Sequence, residues 1–169
     1  MEHILTECRA TGQAEIWKLA EELWSLRGLP WTMPRFGTIL GCGLATYQSE
    51  EGNRKLTGAN HLYAIIVSES AHLIWRLRCK WKILEEAAPE KIPSDDAVWK
   101  MWLRNINCRL QLEMLQTDKL QYGRKALNSM LVEKTWWGVL QNQELLSDDW
   151  LKSTGVLVGI GERPPGRNR

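Results

Sequence analysis

Apolar residues recur at helical spacing along most of this chain, which reads as a series of amphipathic helices separated by Pro- and Gly-rich turns. In Gln13–Leu26, Ile16, Leu19, Ala20, Leu23 and Trp24 share a face, Trp17 flanks it, and Glu15, Glu21 and Glu22 lie opposite. Thr11-Gly12 opens this helix, and Gly28 with Pro30 closes it. The strongest element is Asn60–Glu86, with a stripe of Leu62, Ile65, Ile66, Leu73, Leu77, Trp81 and Leu84. Ser70 within that stripe is small enough to let a second helix approach closely. Pro89 and Pro93 break the chain beyond it.

Ser94 followed by Asp95-Asp96 supplies an N-cap and two acids suited to the positive end of a helix dipole. The helix they open presents Trp99, Trp102, Leu103, Ile106, Leu110 and Met114 on one face and is expected to end near Thr117–Gly123. A final helix over Arg124–Gln141 is expected to bury Leu127, Met130, Leu131 and Trp137, with Ser147–Trp150 starting one more turn. Leu29–Pro34 reads as a turn. Phe36–Tyr47, punctuated by Gly37, Gly41 and Gly43, fits a short helix or a buried extended stretch, and Ser49–Gly58 reads as an exposed loop. The expected fold is mainly α: four to five packed helices in a single domain over residues 13–160. A separate segment precedes it at 1–12, and a disordered tail follows at 161–169.

Composition changes this picture in two places. Ten Trp stand against three Tyr and a single Phe, so helix–helix contacts are expected to be built from indoles whose N–H edge reaches water. The net charge of +2 provides no global field, so any contact with nucleic acid must come from a local patch. The longest apolar runs, such as Ala64–Val67 and Val156–Ile160, are too short to span a bilayer, and the N-terminus has no signal-peptide pattern. An intracellular chain without a membrane role is expected. Cys8, Cys42, Cys79 and Cys108 contain no Cys-x-x-Cys and are expected to be free, mostly buried thiols.

Candidate chemistry is sparse. His3 and Cys8 form a His-x4-Cys pair with the spacing of the distal half of a zinc knuckle. Zinc requires four ligands, so this half-site would bind it only with a further Cys pair upstream. Asp95-Asp96 and Asp148-Asp149 sit at helix starts, where capping explains them, and Glu85-Glu86 closes a helix beside Lys82. Gly41-Cys42-Gly43 lacks the third glycine and the βαβ setting of a dinucleotide loop. Ser68, Ser70 and His72, spaced by two, point to different helix faces. No enzyme activity and no cofactor are expected. The strongest local candidate is a nucleic-acid contact through Arg76, Arg78, Lys80 and Lys82, which flank the apolar stripe in two rows. Arg104, Arg109, Arg124 and Lys125 would extend it if the helices pack suitably.

The N-terminal Met1–Gly12 followed by a Trp-bearing helix resembles a segment of fungal, basidiomycete-type retroelement polyproteins, downstream of their reverse transcriptase and ribonuclease H domains. The likeness continues through Ile39–Leu44, Ser68–Cys79, Asn107–Leu110 and Thr154–Ile160, and so covers nearly the whole chain. It implies a non-catalytic accessory fragment that begins inside the zinc-binding-like knuckle, with Met1 an internal methionine of the parent. The missing Cys pair and the catalytic carboxylates would lie upstream. The implied partners are RNA or RNA–DNA hybrid, held weakly, and the upstream polyprotein domains. The alternatives are a stand-alone helical protein-interaction module, favoured by an exposed apolar patch around Trp31, Phe36 or Trp136, and a relic reading frame without function.

Overall fold

In the computed structural model, residues 1–8, 11–49, 52 and 54–160 are described, and the tail expected at 161–169 lies outside them. Seven α-helices form among the described residues: α1 (Glu2–Thr6), α2 (Gln13–Ser25), α3 (Phe36–Leu40), α4 (Thr57–Cys79), α5 (Asp95–Gln116), α6 (Lys119–Tyr122) and α7 (Ser129–Trp136). The four longest, α2, α4, α5 and α7, surround one hydrophobic core, as the mainly α reading requires. The open choice over residues 36–47 resolves as a short helix, α3, followed by a 3-10 turn at Cys42–Leu44.

Helix α4 is the axis of the molecule and packs against α1, α2, α3, α5 and α7. Its stripe Leu62, Ile65, Ile66, Leu73 and Leu77 is buried as expected, but the stripe stops there. From Lys80 to Leu84 the backbone widens into a π-helical turn, which rotates the following residues off the 3.6-residue register. Trp81 is left half-buried, donating its indole N–H to the Ala88 carbonyl at 2.8 Å, while Ile83 and Leu84 are 71% and 76% exposed. Glu86 and Ala87 then adopt φ of 50° and 60°, a left-handed pair that ends the helix.

Ser70 does what its size allows. Helix α5 crosses α4 there, and the fully buried Trp102 indole donates to Ser70 Oγ at 2.9 Å. Ser70→Ala removes that acceptor and leaves a buried N–H unpaired, so it is expected to lower stability by about 1–3 kcal/mol. Chemical unfolding checks this; a variant as stable as the parent would show that Ser70 acts through size alone.

Five of the ten indoles find an acceptor within the protein. Besides Trp81 and Trp102, Trp17 donates to the Leu5 carbonyl at 2.8 Å, Trp24 to the Pro30 carbonyl at 3.2 Å, and Trp136 to the Glu113 carboxylate at 3.0 Å. Trp24, Trp102 and Trp136 are fully buried, which such pairing permits. Trp24 also packs on Tyr47 and Tyr63, with ring centroids 4.8 and 5.3 Å away. Burial, with Tyr63 beside it, pushes the Tyr47 phenol up to about 12.

Helix α7 departs most from expectation. It spans Ser129–Trp136 only, and it buries Val132, Thr135 and Trp136 instead of Leu127, Met130, Leu131 and Trp137. Asn128 caps its start, accepting from Leu131 N at 3.3 Å, and Trp137 leaves the helix in an extended conformation. Apolar residues at both 130–132 and 136–137 offer two competing stripes; the fit against α4 and α5 selects between them. Leu140 and Val158 then form an antiparallel bridge. Asn107 and Gln111 of α5 tie this return down by accepting from Val158 N at 2.9 Å and donating to the Val156 carbonyl at 2.7 Å.

Candidate nucleic-acid interface

On α4, Glu69, His72 and Arg76 follow one another at spacings of three and four, and on α5 Asn105, Cys108, Arg109 and Leu112 do the same. Such residues share a helix face. Because α4 and α5 lie side by side, the two rows line one groove of about 220 Å³. It gathers two guanidinium groups, an imidazole and a carboxamide against a single carboxylate, a donor-rich set suited to an oxyanion.

The groove regroups the basic residues identified from sequence. Arg76 is exposed on it and makes no ion pair among the described residues. Arg109 enters from α5, with Nη2 donating to Glu113 Oε1 at 3.0 Å, while its Nε is buried without a hydrogen-bond partner among the described residues. Arg78 lies over the Trp81 ring at 4.8 Å, a cation–π contact, and Lys80 pairs with Glu85 at 3.3 Å. Lys82 is exposed on the π-turn. Arg76, Arg78, Lys80 and Lys82 therefore do not form two straight rows, because the π-turn begins at Lys80 and breaks their spacing. Arg104, Arg124 and Lys125 do not line the groove.

His3 and Cys8 are placed apart in environment. His3 sits on α1, exposed, with Nδ1 2.9 Å from Glu7 Oε2. Cys8 is buried, and Leu5 between them enters the core. Among the described residues no group of three or more His, Cys, Asp or Glu side chains is placed to hold a metal ion. All four cysteines are free, but Cys8 alone is buried, and Cys108 is exposed in the groove. Trp136, considered from sequence as part of an exposed apolar patch, is fully buried and cannot contribute to one.

A polar cluster beneath the groove was not anticipated. Glu113 is fully buried: Oε2 accepts from Trp136 Nε1 and Oε1 from Arg109, both at 3.0 Å. His61 Nε2 lies 3.4 Å from Oε1, and its Nδ1 is 3.1 Å from Thr135 Oγ1. The order carboxylate, imidazole, hydroxyl matches that of a nucleophilic triad. Thr135 is fully buried and donates its hydroxyl proton to the Leu131 carbonyl at 2.7 Å, so the cluster joins α4, α5 and α7. The signal was a glutamate beside Met114 on the apolar face of α5, four residues after an arginine.

No helix among the described residues is long and apolar enough to cross a membrane. Comparisons with family models, with curated proteins and with solved structures give no match.

Proposed function

We propose that this chain is a non-catalytic helical accessory region of a retroelement reverse transcriptase/ribonuclease H polyprotein that contacts nucleic-acid phosphate weakly through the α4–α5 groove. The observation that carries the contact is the convergence of Arg76 and Arg109, with His72 and Asn105, on one concavity. The polyprotein assignment rests on the sequence resemblance described above. A groove this small holds one or two phosphates, so binding is weak and backbone-directed, without base readout.

Titrating a labelled RNA–DNA hybrid across a salt series tests the contact. Two neutralised phosphates give a log–log slope of about −1.8, and Arg76→Gln should reduce its magnitude by about 0.9 while weakening binding at every salt concentration. Absence of binding at low salt, or a slope untouched by Arg76→Gln, would sink the groove as the interface.

A second reading, a protein-interaction module, is favoured by the exposure of Ile83 and Leu84 on the π-turn. Charged replacements there that abolish association with a polyprotein fragment, while hybrid binding is absent, would select it.

A further inference from the structure

On the far side of α7 a second cavity opens, about 480 Å³ in volume, within the range of small-molecule sites. Its apolar wall is Trp137 with Leu146 and Trp150. Trp137 is 47% exposed, the more open of the two exposed tryptophans, the other being Trp75. The end of α7 explains its placement: the chain leaves the helix at Trp137 and turns at Gly138, whose φ of +91° favours glycine.

Arg27 approaches over that glycine. Its Nη1 donates to the Trp137 carbonyl, and a Cβ added at Gly138 would lie 3.4 Å from the same nitrogen. The guanidinium is thus held at the cavity by the Trp137 carbonyl, and the bare Gly138 leaves room for it. Burial pushes it down from its ordinary value, and no carboxylate among the described residues pairs with it. A half-buried guanidinium that makes no ion pair among the described residues, beside an open indole, suits an anion attached to a flat apolar body. Lys134 lines the same cavity and adds a second cation.

We propose that this cavity binds a single nucleotide, its base stacked on Trp137 and its phosphate held by Arg27 and Lys134. A further lining group narrows the ligand. Asp148, which lines the cavity, supplies an acceptor for the amino group of a base. A cavity of about 480 Å³ has room for one nucleotide rather than a strand. The site lies apart from the α4–α5 groove and stands whether or not the groove binds hybrid.

Isothermal titration of the full chain with adenosine 5′-monophosphate, adenosine, inorganic phosphate and N-acetylphenylalanine tests the proposal. The monophosphate is expected to bind at least tenfold more tightly than adenosine or phosphate alone. Trp137→Ala should weaken it about tenfold, the scale of one base–aromatic stack, and Trp137→Phe much less. Arg27→Met should bring the monophosphate down to the affinity of adenosine, and Lys134→Met, on an exposed residue, gives the same direction without touching a half-buried side chain. No binding of the monophosphate at millimolar concentration overturns the proposal, as does binding unaffected by Trp137→Ala. N-acetylphenylalanine binding as tightly as the monophosphate also overturns it and assigns the cavity to a peptide carboxylate.

Discussion

Gly58→Ala is expected to lower the unfolding free energy by about 3 kcal/mol or more, although alanine is the better helix former. Gly58 lies in the first turn of α4, where α7 crosses, and a Cβ built there would stand 2.1 Å from the Lys134 carbonyl oxygen and 2.3 Å from its carbon. Those are backbone atoms, so no side chain can swing away. The helices would have to part by about an ångström, a separation felt across a close-packed interior. Moving α7 also disturbs Thr135 and Trp136, which reach His61 and Glu113 from it. Gly37→Ala is the control: Gly37 is exposed within α3, a Cβ there meets nothing within 4 Å, and the change is expected to stabilise by up to about 1 kcal/mol. Urea unfolding of both variants checks the pair. A loss under about 1 kcal/mol for Gly58→Ala would mean that the α4–α7 contact is looser than described.

That contact was not legible in the sequence, and the reason is instructive. Periodicity placed α2 to within a residue and located α4 and α5 because each has one dominant apolar stripe and clear stop signals, Gly28 after the first and Pro89 after the second. Nothing local distinguishes the two faces of α7, and Gly58, at the edge of an apparently polar loop, gives no hint that another helix rests on it. The π-turn was hidden for a similar reason: Trp81 and Leu84 continue the stripe of α4 on paper, and only a backbone widened by one residue per turn removes them from it. The basic residues of α4 were visible, but their grouping was not. Arg76 meets Arg109 through helix packing, whereas Arg78 turns to Trp81 and Lys80 to Glu85 through the local geometry of the π-turn.

Removing the carboxylate of Glu113 should be among the most destabilising single changes available, and the pattern of its variants separates structural pairing from simple packing. Glu113→Ala leaves the Trp136 indole N–H without its acceptor and strips its carboxylate from the Arg109 guanidinium, the Nε of which already has no partner among the described residues. Breaking a buried charged contact from one side costs about 3–5 kcal/mol. Glu113→Gln keeps the shape and an acceptor for one of the two donors but turns an amide N–H₂ toward the other, so a loss of about 1–3 kcal/mol is expected. Combining Glu113→Ala with Trp136→Phe completes a cycle, since the phenyl ring has no N–H to leave unsatisfied. The double variant should then lose less than the sum of the two single losses, by about 1 kcal/mol or more. Strict additivity would show that Glu113 and Trp136 are neighbours without an energetic link, and that the three helices are held together by apolar packing alone.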